Sequence, residues 1–141
     1  MVAADASDRS PTRYRLGRAM RLSRATDFQA VFAARVRRGV GPVLVYARPN
    51  DLGHMRLGLS VSRRVGGAVA RNRTKRMIRE AFRLMQHDLP TGYDVVVVAR
   101  PLDERAGLAE YQKALSTALR SLHRRWSEPG PPPDPARETN P

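Results

Sequence analysis

The run SVSRRVGGAVARNRTKRMIREAFR, residues 60–83, leaves a stretch of alternating polar and apolar residues, breaks at Gly66 and Gly67, and enters a segment with helical period. Projected at about 100° per residue, Asn72, Lys75, Arg76, Arg79 and Arg83 fall within one arc of about a third of a turn. Met77, Ile78, Ala81, Leu84 and Met85 take the opposite arc. The spacing predicts a two-faced helix from about Val69 to Gln86, one side entering a core and the other carrying four cations and an amide with only Glu80 nearby. Like charges at these spacings repel by a few tenths of a kcal/mol per pair. A face built for stability alone would alternate signs, so the pattern points to a polyanion. Arg63 and Arg64 precede a flexible turn where backbone N–H groups and a helix N-terminus can meet phosphate.

Outward from that helix, Met55, Leu57, Leu59 and Val61 alternate with Arg56, Gly58, Ser60 and Ser62, a strand with one apolar face. The second face is small and polar, as suits the close approach of another backbone or simple solvation. Upstream, Arg37 to Arg48 is β-branched and aromatic, a strand or a bent pair of strands, with Val43, Val45 and Ala47 on one side and Leu44, Tyr46 and Arg48 on the other. The turn composition of Asn50, Asp51 and Gly53 makes a hairpin the natural link to the next strand. A first helix is expected over about Thr26–Arg35, capped by Thr26 or Ser23, with Phe28, Val31 and Phe32 as its apolar stripe. Downstream, Tyr93–Ala99 with its valines reads as a strand covered on both faces. Leu108–Trp126, with Leu108, Tyr111, Leu115, Leu119 and Leu122 at steps of three and four, reads as a last helix. The order is α-β-β-β-α-β-α without internal repeat, in one folded unit over residues 18–126. Residues 1–17 read as a mobile N-terminal arm and 127–141 as a Pro-rich disordered tail.

The 141-residue chain has a formal charge of +13, and of its 26 basic residues only Lys75 and Lys113 are lysines. Guanidinium groups favour two-pronged contacts with phosphate and stack on bases. The chain has no cysteine, which excludes disulfide frameworks and thiolate chemistry. No apolar run approaches the roughly 18 residues that cross a bilayer, and Met1–Ser10 lacks a secretory h-region, so no membrane partner and a cytoplasmic location are expected. His54, His87 and His123 are far apart in sequence and lack a neighbouring acid pattern such as HExxH; His87 beside Asp88 reads as a helix C-terminal cap. No protein-borne catalytic or metal-binding set emerges.

The run from Ser60, Val61, Ser62, Arg63 and Arg64 through Gly66 and Gly67 to Phe82, centred on Arg71, Asn72, Arg73, Lys75, Arg76, Arg79 and Glu80, resembles the signature of the bacterial ribonuclease P protein subunit family. The resemblance extends upstream to Arg21, Leu22, Asp27, Phe28, Val31 and Phe32, and downstream to Gly92, Tyr93, Asp94, Arg100 and Pro101. Arg63 and Arg64 stand where the family often has lysine, which preserves the charge. The resemblance implies an α/β (α+β) domain with a four-stranded sheet, similar to the second domain of a small-subunit ribosomal protein. It also implies a left-handed β-α-β crossover, where about 98% of crossovers are right-handed.

The resemblance further implies that Arg63, Arg64, Arg71, Asn72, Arg73, Lys75, Arg76, Arg79 and Arg83 face a catalytic RNA. Phe28, Phe32, Tyr46, Arg48, Ser60 and Ser62 would hold the 5′ leader of precursor tRNA. For the two phenylalanines plain core packing is an equal reading; Tyr46 shares a strand face with Arg48 and offers a ring for an unpaired base. On this footing the chain is a subunit of an endoribonuclease that removes the leader. The chemistry would lie on the RNA, Mg2+ would be held by the RNA and the RNA–protein interface rather than tightly by the protein alone, and no protein partner would be required. A ribosomal or general RNA-structuring protein would share the charge and is the alternative; a DNA-binding reading lacks helix-turn-helix spacing or a zinc pattern.

Overall fold

In the run Tyr93–Ala99, Val95, Val96 and Val97 are fully buried, so this strand cannot lie at a sheet edge or leave a face open to water. The computed structural model describes residues 20–101 and 106–127. The expectations for the arm at 1–17 and for the tail lie outside them, apart from Ser127, which ends the last helix. The elements are α1 (Ala25–Ala34), β1 (Arg37–Val40), β2 (Val43–Pro49), β3 (Arg56–Ser60), a 3-10 turn (Arg63–Val65), α2 (Ala68–Met85), β4 (Tyr93–Ala99) and α3 (Leu108–Ser127). The sheet order is β1-β2-β4-β3.

The segment Arg37–Arg48 is a tight antiparallel pair, Arg37 opposite Tyr46 and Val40 opposite Val43, around a turn at Gly41. The hairpin expected between β2 and β3 does not form. β4 lies between them, antiparallel to β2 and parallel to β3. The Asn50–His54 segment therefore spans two strand spacings, about 10 Å, and arches over the start of β4. Asn50 holds the arch: its side-chain oxygen accepts from Leu52 N–H, its amide donates to the Asp94 carboxylate and the His54 carbonyl, and its backbone N–H donates to Gly92 O. Turn residues suit such an arch as well as a hairpin, and the apolar character of β4 decides between them. The β3-α2-β4 unit is thus a crossover between parallel neighbours.

Each face of the sheet has its own cover. Val43, Val45, Ala47, Leu57, Val95 and Val97 pack against α2 and α3 through Ile78, Phe82, Leu115 and Leu122. On the other face, Val96 packs with Leu22 and Val31 beneath α1, flanked by Phe28, Phe32, Tyr46 and Val98. Fully burying one such large side chain is worth roughly 1.5–3 kcal/mol. α1 begins after an extended Arg24 without a side-chain cap, so neither Thr26 nor Ser23 has the expected role, and it ends at Arg35 in the left-handed region. In α2 the buried positions are Thr74, Ile78, Ala81 and Phe82, rotated from the arc drawn from sequence. Leu84 is 38% exposed, because the sheet and α3 meet the helix from the Thr74 and Phe82 side. Gln86 closes α2 by donating to the Arg83 carbonyl.

Two local contacts occupy backbone groups that the strand ladders leave unpaired. β1 stops opposite Tyr46, and the Trp126 indole N–H donates to the Ala47 carbonyl just beyond, at 2.8 Å. At the opposite edge Leu22 N–H donates to Leu57 O at 2.9 Å, pairing Arg21 with β3 as an isolated parallel bridge. A β-carbon on Gly58 would stand 2.6 Å from Cζ of Phe28, so glycine is what lets the ring lie on the strand.

Asp94 is 3% exposed and accepts from Arg56 Nε and Nη2 at 2.8 and 2.7 Å and from Asn50. Burial pushes its pKa up, but the hydrogen bonds from Arg56 and Asn50 and the charges of Arg56 and Arg48 outweigh it, holding the carboxyl below its ordinary value. Its stabilisation is therefore complete above the unfolded carboxyl pKa of about 3.9 and is lost as pH falls through the lower folded value. Asp94→Ala should cost about 3 kcal/mol at neutral pH, near the low end for breaking a buried pair, in urea denaturation. Asp94→Asn should flatten the acid limb of the stability profile, and an unchanged limb would refute the assignment. Gly58→Ala should displace the Phe28 ring and cost about 1–3 kcal/mol through overpacking, read by denaturation and by the Phe28 aromatic NMR resonances.

Candidate nucleic-acid interface

α2 presents its cations in two directions. Asn72, Arg73, Arg76 and Arg79 are exposed, whereas Arg71, Lys75 and Arg83 are half-buried. Around the axis Lys75 lies only about 20° from Phe82 and Arg79 about 60°, so both stand on the shoulder of the buried stripe, while Asn72, Arg76 and Arg83 project further outward. Among the described residues no carboxylate is within ion-pair distance of Lys75, Arg76 or Arg79. Glu80 is turned to Arg83, which grips it with Nε at 3.1 Å and Nη2 at 2.5 Å. The hydrogen bond and charge of Arg83 hold the Glu80 carboxyl below its ordinary value despite some desolvation. Arg83 was expected on the RNA face, yet its guanidinium is engaged within the helix, so the open cationic surface centres on Arg76 and Arg79.

The turn before α2 is built locally. The Ser62 hydroxyl accepts from Arg64 N–H at 3.3 Å and caps the 3-10 turn. Arg63 and Arg64 project from that turn into solvent. Gly66 has φ +149, and a β-carbon there would meet Ala70 Cβ at 2.9 Å, which explains a glycine between the turn and the helix. Ser62 lies past the end of β3 with its side chain committed to the cap, so it belongs to the turn rather than to the strand face on which it was expected.

The α1 side of the sheet carries the aromatic group. The Phe32 and Tyr46 rings meet edge to face with centroids 4.8 Å apart. Arg37 Nη1 donates to the Tyr46 hydroxyl at 3.1 Å, and its guanidinium carbon lies 5.9 Å from the ring centroid. Such an array offers a ring for stacking and a cation beside it. Phe28, Phe32 and Tyr46 are all half-buried, so the two readings of the phenylalanines combine: each packs against the second core cluster and still shows part of its surface. Arg48 is exposed on the Tyr46 face and Ser60 is half-buried at the end of β3. Arg37 escaped the sequence reading; its signal is the register placing it opposite Tyr46, available only once the turn is located at Gly41. Phe28 from α1 and Lys75 and Arg79 from α2 line one cleft beside β3, so the two expected surfaces adjoin.

Among the described residues no group of three or more His, Cys, Asp or Glu side chains gathers as metal ligands would, and no helix is long and apolar enough to cross a membrane. His123 Nδ1 is 2.8 Å from the Tyr93 hydroxyl, a contact that fastens α3 to β4. Burial pushes that hydroxyl's pKa up.

Residues 16–123 match the model of the family described as Ribonuclease P. The ribonuclease P protein component of Serratia proteamaculans is 42% identical over 116 residues, 81% of this chain and 92% of the relative. That of Escherichia coli is 44% identical over 110 residues, 77% and 87% of the two chains. Among solved structures, the Staphylococcus aureus RNase P protein superposes with a TM-score of 0.65 at 31% identity, covering 74% of this chain and 95% of its own. The Thermotoga maritima RNase P protein gives 0.64 at 31%, covering 74% and 96%. All four strands, α1, α2 and most of α3 fall within the matched span, and the chain belongs to the ribonuclease P protein family.

Proposed function

We propose that this chain docks on the catalytic RNA of ribonuclease P through α2 and holds the 5′ leader of precursor tRNA on the α1 side of the sheet. The observation that carries the reading is the adjacency of two unlike surfaces: the cations of α2, and the half-buried Phe28, Phe32 and Tyr46 with Arg37 beside them. Lys75, Arg76 and Arg79, which have no carboxylate within ion-pair distance among the described residues, suit a folded RNA's phosphates, while rings on a sheet face suit unpaired bases.

On this reading Arg63, Arg64, Arg71, Asn72, Arg73, Lys75, Arg76 and Arg79 serve the RNA subunit, with Arg83 at the margin. Phe28, Phe32, Tyr46 and Arg48 serve the leader, with Ser60 at the end of its strand. Hydrolysis of the phosphodiester belongs to the RNA and its Mg2+. The protein positions the substrate and, by neutralising phosphates, lowers the magnesium that the RNA needs to fold against its own repulsion. The complex would work in the cytoplasm on newly made precursor tRNA.

With about five phosphates neutralised, RNA-subunit affinity should fall with salt at a log-log slope of roughly −3.5 to −4.5; a flat dependence would sink the electrostatic docking. Arg76→Ala should weaken that affinity and make the slope shallower by about one. Tyr46→Ala should leave RNA-subunit affinity intact and chiefly reduce the holoenzyme's preference for precursor over mature tRNA, measured by equilibrium binding. Equal affinity of the wild-type holoenzyme for both tRNAs, or full-rate 5′ maturation by the protein without RNA, would overturn the reading.

A further inference from the structure

The described aromatic rings divide by exposure. Phe82, Tyr93 and Tyr111 are buried in the main core, whereas Phe28, Phe32, Tyr46 and Trp126 keep part of their surface open. The first three of these open rings lie on the α1 side of the sheet. Trp126, the single tryptophan of the chain and 36% exposed, comes from the last turn of α3. Its indole N–H donates to the Ala47 carbonyl at 2.8 Å, which brings the ring to the outer margin of β2, where Ala47 stands between Tyr46 and Arg48. β1 stops opposite Tyr46, and after the bond from Ala47 N–H to Val36 O no strand flanks β2 on that side.

From this placement we infer that Trp126 is a stacking platform for an unpaired base of the precursor leader, at the margin of the sheet beyond Tyr46. The inference rests on the leader reading above and deepens it. A side chain placed solely to seal the strand edge would bury its ring; here the hydrogen bond holds the ring while 36% of the residue still meets solvent. The turn that carries it is itself fastened, with His123 Nδ1 2.8 Å from the Tyr93 hydroxyl and the two rings edge to face at 5.7 Å. A ring fixed before binding loses little freedom when a base stacks on it. Arg48, exposed on the Tyr46 face, and Arg124, exposed two residues before Trp126, supply charge for the flanking phosphates. Among the described residues neither has a carboxylate within ion-pair distance.

The position gives the platform its place along the leader. The cations of α2 adjoin the α1 side of the sheet beside β3, whereas α3 lies over β1 and β2 at the other edge. Three strand spacings separate the two edges, about 14 Å. With the RNA subunit docked on α2, a leader crossing the sheet reaches Tyr46 before Trp126. Trp126 therefore meets nucleotides further from the cleavage site than those on Tyr46. Stacking there holds a long leader whatever its sequence, because every base has a face to offer.

Because the chain has one tryptophan, fluorescence of the holoenzyme assembled with a bacterial ribonuclease P RNA reads this site directly. Precursors whose leaders grow one nucleotide at a time should leave the emission unchanged while short and quench it once the leader passes Tyr46; mature tRNA should not quench it. Trp126→Ala should weaken the long-leader precursor about tenfold, within the range for losing one stacked base. It should leave mature tRNA and RNA-subunit affinity unchanged, and take effect at a longer leader than Tyr46→Ala does. Trp126→Phe, which keeps a ring and loses the hydrogen bond, should retain most of the affinity; an equal loss would assign the effect to the edge hydrogen bond and overturn the platform. Emission unmoved by a long leader, or quenched equally by mature tRNA or by the RNA subunit alone, would overturn it too, as would a Trp126→Ala loss at every leader length. The fluorescence needs no substitution and decides even where Trp126→Ala fails to fold. A wild-type holoenzyme without preference for precursor over mature tRNA would fell the leader reading and the platform together, whereas a preference that persists with unmoved emission fells the platform alone.

Discussion

The strand β4 is apolar on both sides, and the rest of the molecule is arranged to accommodate it. Val95 and Val97 face one layer and Val96 the other, all three without solvent exposure. A strand of this kind needs a neighbour on each edge and a cover on each face. β2 and β3 supply the edges, α2 with α3 one cover, and α1 with Leu22 the other. Inserting β4 between β2 and β3 separates two strands consecutive in sequence. It also leaves β3 with an open edge, which the Arg21 bridge covers only in part.

That open edge is where cations and an aromatic ring from distant elements meet. With β3 outermost, the shoulder of α2 and the first turns of α1 reach the same place from opposite faces of the sheet. Lys75 and Arg79 thereby come to line a cleft with Phe28. The ionic arrangement follows the same logic. Asp94, beneath the arch over β4, is neutralised by Arg56, which also lies 3.8 Å from Asp27 at the start of α1. Glu80, the acid within the signature run of α2, is held by Arg83. These internal pairings keep carboxylates away from Arg76 and Arg79, so the outward cations remain available to phosphate.

Much of this was legible from residue order. Helical spacing located α2 and α3 to within a residue or two, because amphipathic stripes of that length leave a clear period. The alternation of Val43, Val45 and Ala47 against Leu44, Tyr46 and Arg48 assigned the two faces of β2 correctly. Three readings failed for a common reason. The β2–β3 hairpin, Leu84 in the core arc and Ser62 on the strand face were inferred from local pattern, and each was decided by which distant element packs nearby. Turn residues fit an arch as well as a hairpin, the apolar arc of a helix rotates toward whatever covers it, and a serine after a strand can cap the next turn. Arg37 carried no local signal, since it gains its meaning from pairing opposite Tyr46.

By itself, then, the order of residues determined the element types, the two-sided burial of β4, the cationic face of α2 and, through the resemblance, the family. Those features depend on spacing along one segment, where the periods of helix and strand map sequence directly onto faces. The tertiary structure alone decided the strand order, the partner of each charge, the edge-on aromatic group beside Arg37 and the cleft at β3. Each of these joins residues distant in sequence, brought together because the valines of β4 must be enclosed on every side.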